Sequence, residues 1–336
     1  MTIRAIIARR KVLTKFAKCL TYLLLVLCFA SRADEFPLKP FTLVVGFGVG
    51  GGTDQMARNL APYLAKELGQ PVQVINKKGA GTLLAANYVL SKPSGGYTIF
   101  ASGFSPYLTN TILQGHADYT ISDFSYLNFQ WFDEDLIAVY KGSGFDNLAQ
   151  LLEAIRQKPK SIKASVVRGS GGHLMAKLLL ELHNIPQKNL NLVTYNSGGQ
   201  ARAAVAGGVV DFIIISAKGS ESIREYIRPL AIVSNDYNES WNAPSLNEAL
   251  RTTGVHAPVL QGTIRGFATT AEFKQRYPER FEFIASAMKR ALQNEELKKI
   301  LLHSSISGRW TGPEESEAIM KANFEAFKIY SYLLKM

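Results

Sequence analysis

Cysteine is nearly absent from this chain. The two among 336 residues, Cys19 and Cys28, both fall in the first thirty. Everything after them must therefore hold together through its core alone, with no disulfide, thiol nucleophile or cysteine metal ligand. The five histidines, His116, His173, His183, His256 and His303, are scattered without metal-ligand spacing, so no metal centre is read. Ser170 lies near His173, but no acidic partner for a hydrolytic triad is evident. No fixed period of about 20–50 residues recurs, which excludes a solenoid. The apolar run CLTYLLLVLCFA, at 19–30, is too short to span a membrane comfortably as a helix.

That run belongs to an export leader. Arg4, Arg9, Arg10, Lys11, Lys15 and Lys18 precede it without an acidic residue, and small residues Ser31 and Ala33 allow cleavage after Ala33, with Ala30 a second candidate. An uncleaved anchor is the alternative. Residues 1–33 carry seven Lys/Arg and no Asp/Glu, so the formal charge falls from +11 to +4 when they are removed. A nucleic-acid partner inferred from the basic balance then loses its basis. About 300 residues remain, most naturally two domains or lobes.

What is present is a repeated design. The run Leu43-Val44-Val45 leads into Gly46-Phe47-Gly48-Val49-Gly50-Gly51-Gly52, and Thr53-Asp54 opens a helical stretch over 53–68 with Met56, Leu60, Leu64 and Leu68 on one stripe. A strand, a glycine loop and a helix N-terminus make a backbone anion site, because the first helical N–H groups lack partners within the helix. Gly69 and Pro71 end the helix, and Pro62 should kink it. Further strands are read at 72–75 and 97–101, a helix at 80–90, and a small polar loop at 102–105. A second series starts at 136–140, with a helix at 148–157 and a strand at 164–167. Arg168-Gly169-Ser170-Gly171-Gly172-His173 leads to a helix at 174–182, and Asn196-Ser197-Gly198-Gly199-Gln200 repeats the design after 192–195. A strand follows at 209–215, and 281–336 is mostly helical. The alternation predicts an α/β fold of two lobes, each a mostly parallel sheet flanked by helices, with ligand beyond the carboxyl ends of the strands.

Phe36 to Gly81, FPLKPFTLVVGFGVGGGTDQMARNLAPYLAKELGQPVQVINKKGAG, resembles the solute-binding receptors of the tripartite tricarboxylate transporter family, the Bug-type periplasmic binding proteins. The resemblance rests on Gly51-Gly52-Thr53-Asp54 with Ala57-Arg58, on Leu68-Gly69-Gln70-Pro71-Val72, and on Asn76-Lys77-Lys78-Gly79-Ala80-Gly81. Gly96-Tyr97-Thr98, Asp123-Phe124 and the loops around His173 and Tyr195 echo it. It is strong over 36–250 and weak beyond 255. The resemblance implies a two-lobed Venus-flytrap receptor in the periplasm, monomeric, without cofactor or metal, handing a small carboxylate to membrane subunits of a transporter. It implies lobes dividing near 138 and 251, with 34–138 and 251–336 in the first and 139–250 in the second. By position, Gly51, Gly52 and Thr53 would give main-chain contacts from the first lobe. Gly169, Ser170, Gly171, Gly172, Ser197, Gly198 and Gly199 would give them from the second. Asp54 is read as a helix-start residue bonding loop amides. Ser102, Phe104 and Ser105 at a strand end, with His173 and Asn196, complete the candidate ligand-binding set, and Tyr107 has comparable standing to Phe104.

The chain departs from the family pattern in places. A lysine is missing in Thr194-Tyr195-Asn196-Ser197, and Trp131-Phe132-Asp133-Glu134-Asp135 is unusually acidic, which disfavours a highly charged ligand such as citrate if it lines the cleft. Two other functions fit parts of the pattern. The glycine loop satisfies G-x-G-x-x-G, so an NADP-dependent oxidoreductase is conceivable, but Asn76-Lys77-Lys78 stands where a ribose-binding acid belongs. An exported receptor serving a sensor would need the same liganded state as one serving transport.

Overall fold

The computed structural model describes residues 36–195 and 197–335. The expected leader with its cleavage site, both cysteines and Asn196 lie outside the described residues.

Ten strands build two sheets. The first contains β1 (Phe41–Val45), β2 (Val72–Asn76), β3 (Thr98–Ser105), β4 (Phe124–Asp133) and β10 (Thr263–Thr270), ordered β2-β1-β3-β10-β4. The second contains β5 (Asp135–Tyr140), β6 (Lys163–Val167), β7 (Asn191–Tyr195), β8 (Phe212–Ser216) and β9 (Ile227–Ile232), ordered β7-β6-β8-β5-β9. Each sheet has two parallel pairings followed by two antiparallel ones. The sheets are thus mixed, where the alternating pattern predicts mostly parallel ones. The antiparallel half of the first sheet arises because β10, distant in sequence, inserts between β3 and β4.

The helices are α1 (Gly52–Leu68), α2 (Leu83–Leu90), α3 (Tyr107–Leu113), α4 (Leu148–Gln157), α5 (Gly171–Leu182), α6 (Gly198–Ala206), α7 (Leu246–Leu250), α8 (Ala271–Arg276), α9 (Pro278–Gln293), α10 (Glu295–His303) and α11 (Pro313–Tyr330). The α1 stripe of Met56, Leu60, Leu64 and Leu68 is buried, as its spacing requires. The helix runs on through Pro62, which stands on the exposed side, and stops at Gly69, whose φ of 67° suits a residue without Cβ. Helices α9 and α10 pack against α1, so the C-terminal segment covers the first sheet. Among the described residues no helix is long and apolar enough to cross a membrane.

Three passages join the sheets. Glu134 alone separates β4 from β5, and the chain returns through 233–262 to β10. Helix α11 makes the third passage. Its start is fastened to β4 by Asn128, which is wholly buried; its Oδ1 accepts from the Thr311 and Gly312 amides at 2.7 and 3.0 Å, and its Nδ2 donates to the Arg309 carbonyl at 3.0 Å. Farther along, Phe327 of α11 and Leu333 pack in the core of the second sheet with Ile137, Val139 and Leu174. Removing the Asn128 amide would strand buried donors and an acceptor, each costing about 1–3 kcal/mol. Asn128→Ala is therefore expected to lower unfolding free energy by about 2–4 kcal/mol, read from urea denaturation.

Candidate functional site

The carboxyl ends of β1, β6 and β7 each run through a short loop into the N-terminus of a helix, α1, α5 and α6 respectively. A cavity of about 320 Å³ lies where the three meet, lined from the first sheet's side by Gly50, Gly51, Gly52 and Thr53 and from the second's by Ser170, Ser197, Gly198 and Gly199.

The first loop is held from inside. Asp54 is almost completely buried and accepts from the Gly50 amide at 2.9 Å, Arg58 Nε at 3.0 Å and Asn76 Nδ2 at 2.8 Å. Asn76 Nδ2 also donates to the Phe47 carbonyl at 3.0 Å. Burial alone would raise the carboxyl's pKa; the bonds from Arg58, Gly50 and Asn76 outweigh that and hold it below the ordinary carboxylate value. Asp54 so tied is not available to a ligand. No side chain caps α1, whose N-cap is Gly51, so its first amides have no acceptor within the helix. Gly52 sits close against the Trp131 ring, from which a Cβ would stand only 3.0 Å.

The two second-sheet helices differ. Ser197 caps α6 by accepting from the Gln200 amide at 3.4 Å, and the glycines between them line the cavity. Ser170 caps α5 by accepting from the His173 amide at 3.1 Å, but Gly171 and Gly172 are buried against Asp135 and the Ile214 carbonyl. That helix contributes Ser170 rather than its glycine amides to the cavity wall.

Charged side chains complete the lining. Arg202 on α6 donates from Nε to Ser220 Oγ at 3.0 Å and from Nη2 to Ser216 Oγ at 3.0 Å. Its Nη1 has no hydrogen-bond partner among the described residues, and a Cβ at Gly198 would stand 2.7 Å from it. Burial lowers the Arg202 pKa to about 10, so it remains a cation at neutral pH. Arg265 on β10 pairs with Asp133 at 3.3 Å and stacks on the Trp131 ring at 4.2 Å. Asp133 also accepts from the Lys218 amide at 3.1 Å. Arg265 is thus ion-paired within the protein, whereas Arg202 feels Asp133 and Asp135 without forming an ion pair among the described residues. Helix dipoles supply about 0.3–1 kcal/mol each toward an anion, less than the several kcal/mol needed to desolvate a carboxylate. Direct hydrogen bonds to charge, about 1.5–3 kcal/mol each, must supply the rest, and the amides and Arg202 Nη1 are placed to make them.

A larger cavity, about 560 Å³, lies beside Glu134 and Trp241. Of its charged residues, Glu134, Lys218 and Asp236 are exposed, so solvent already satisfies them, and the buried Asp133 is held by Arg265 and the Lys218 amide. Among the described residues no group of three acidic or histidine side chains could hold a metal ion.

The family model for the tripartite tricarboxylate transporter family receptor matches residues 56–315. The chain belongs to this family. It is similar to the protein BugT of Bordetella pertussis, 31% identical over 223 residues covering 64% of this chain and 67% of that one. Its fold is that of MatC from Rhodopseudomonas palustris, solved with bound malate (TM-score 0.74, 20% identity, 88% of this chain and 100% of that one). It is likewise that of an R. palustris protein solved with adipate (TM-score 0.72, 21% identity, 89% and 98%). Family membership makes the chain a solute-binding receptor and not the dinucleotide enzyme that the glycine loop also allowed. The structure adds a physical reason: Asn76, at the end of β2, is spent on Asp54 and Phe47.

Of the residues singled out in sequence, Gly51, Gly52, Thr53, Ser170, Ser197, Gly198 and Gly199 are brought together on this receptor's cavity. Ser102, Phe104 and Ser105 are not: they lie inside β3, fully buried, with Phe104 packed against Phe100 and Phe129. The expected polar loop at 102–105 is strand because β10 pairs along it, Ile264 opposite Ser105 and Arg265 opposite Gly103. Gly169, Gly171, Gly172, His173 and Asp54 also lie off the lining. His173 Nδ1 accepts from the Gly169 amide at 3.3 Å, and burial, helped by Lys177 and Arg168, lowers its pKa to about 4. Sequence reading missed Arg202, Ser216, Gly219, Thr263 and Arg265, all on the lining, and reached Tyr107, Trp131 and Asp135 only conditionally. Arg202 is placed by tertiary contacts, with Gly198 and Gly219 both pressed on its guanidinium, which the sequence alone does not signal.

Because Asp54 titrates below its ordinary value when folded, its stabilisation is complete above about pH 4 and is lost as pH falls through the depressed folded value. Asp54→Asn is expected to lower unfolding free energy at neutral pH by about 1.5–3 kcal/mol. The gap to wild type should narrow on acidification, as read by denaturant titration at several pH values.

Proposed function

We propose that this receptor captures a small organic carboxylate in the cleft and delivers it to the membrane subunits of a tripartite transporter. The observation that carries the reading is the convergence of the uncapped α1 N-terminus, the α6 glycines and the unpaired Arg202 guanidinium on one cavity. It is supported by MatC and the second R. palustris protein, which hold malate and adipate respectively. With Arg265 ion-paired to Asp133, the cleft offers the one unbonded nitrogen of Arg202, which suits one carboxylate end better than a fully ionised tricarboxylate. In this reading residues 1–33 are the leader, cleaved after Ala33, and the protein acts as a periplasmic monomer. Its lobes, dividing near 138 and 251, close on the ligand.

The test is a thermal-shift and calorimetric panel of mono-, di- and tricarboxylates, aromatic carboxylates, amino acids and NADP against the processed protein. A ligand at a hundred times its dissociation constant adds about 2.7 kcal/mol of stability, easily seen as a raised melting temperature. A shift with a carboxylate and none with NADP is expected. Arg202→Gln should weaken that carboxylate about tenfold to a hundredfold, the worth of one charged hydrogen bond. Unchanged affinity would remove Arg202 from the site.

A further inference from the structure

One acid on the cavity wall is left without a partner. Asp135 opens β5, is 5% exposed and lines the cavity. No described side chain or amide donates to its carboxylate, although two arginines are close enough to influence it. Arg265 is committed to Asp133 and Trp131, and Arg202 to Ser216 and Ser220. Gly171 leaves the carboxylate its room, since a Cβ there would stand 2.5 Å from Oδ2. Burial first, and the neighbouring Asp133 second, push the Asp135 pKa up to about 7; Arg265 and Arg202 offset this only in part. A buried acid costs stability unless something bonds it. The same cavity therefore holds a guanidinium with one unbonded nitrogen, Arg202 Nη1, and an acid to which no described group donates, Asp135.

Resting on the carboxylate-receptor reading, we infer that Asp135 determines specificity by accepting from an N–H group of the ligand, so that the solute is a carboxylate that also carries an amine. The ligand's carboxylate would meet the α1 and α6 amides and Arg202, and its ammonium would meet Asp135. A plain dicarboxylate would instead bring a second anion against Asp135 and Asp133. The two classes depend on pH in opposite senses. An ammonium needs Asp135 ionised, so its affinity rises as pH passes upward through about 7. A second carboxylate needs Asp135 protonated, so its affinity falls over the same interval. The groups facing Asp135 do not blur this window. Arg202 stays charged, Asp133 is ion-paired with Arg265, and the Tyr107 phenol, pushed by burial up to about 12, stays neutral.

The experiment is calorimetric titration of the full-length processed protein with matched pairs, aspartate against succinate and glutamate against glutarate, with 4-aminobutyrate against butyrate as the third. It is run near pH 6 and near pH 8, on wild type and Asp135→Asn. In at least one pair the amine-bearing member should bind at least tenfold tighter, tightening about tenfold between the two pH values. Asp135→Asn should abolish both the preference and its pH dependence. It should also raise the melting temperature of the ligand-free protein near pH 8, showing that the variant is folded. If the amine-free members bind tighter, or Asp135→Asn keeps the preference, this inference falls and the carboxylate receptor stands. If no member of any pair binds, this inference falls, and the wider carboxylate panel decides the receptor reading separately.

Discussion

Asp54 spends a buried negative charge inside the protein so that the amides beside it stay open to a negative charge from outside. Its three donors come from the loop, from its own helix and from the end of β2, which fixes the loop against α1 and against the strand beside β1. Backbone amides recognise an anion only when they are already pointed at it, since ordering them on binding would consume the few kcal/mol they provide. The glycines of the loop have no side chains with which to order themselves. The Asp54 carboxylate does that for them, and the Trp131 ring set against Gly52 fixes the first turn of α1 from the other side.

The second sheet meets the same requirement by different means. Serine N-caps order the starts of α5 and α6, and only α6 keeps its glycines on the cavity, because the α5 pair is used for close packing on Asp135 and β8. Arg202 then lies between Gly198 and Gly219, held by two serines, with one nitrogen unspent. The result is an asymmetric cleft. Uncapped amides approach from the first sheet, whereas a cation and an unpaired acid approach from the second. β4 and β5, separated by Glu134, link the two halves, and α11, anchored at Asn128, ties its other end into the second core.

Local features of the sequence carried most of the parallel half of each sheet. The strands at 42–45, 72–75, 164–167 and 192–195 and the helix at 148–157 were legible because apolar periodicity and glycine loops are short-range signals. The antiparallel half of the first sheet was not, since β10 is a strand only through its pairing with β3 and β4, and its segment has no glycine loop to announce it. The same pairing explains Ser102, Phe104 and Ser105, whose polar and small neighbours read as a loop end but which β10 draws into the sheet. The three glycine loops were found, yet the side chains that give the cleft its charge were not. Arg202, Arg265 and Thr263 acquire their place from tertiary contacts across the two sheets, and nothing in their immediate neighbours distinguishes them from surface residues. The acidic stretch ending at Asp135 stood out in the sequence; that Asp133 is neutralised while Asp135 is left unpaired required the structure.

In the proposed complex, main-chain amides at the starts of α1 and α6 bind the ligand's carboxylate. That contact is tested most directly by the amide spectrum of protein labelled with nitrogen-15 at its glycines, titrated with the tightest-binding carboxylate. Large shifts are expected at Gly51, Gly52, Gly198 and Gly199, and little change at Gly115 or Gly254, which lie off the cavity. Saturating ligand that leaves those four resonances in place would contradict it.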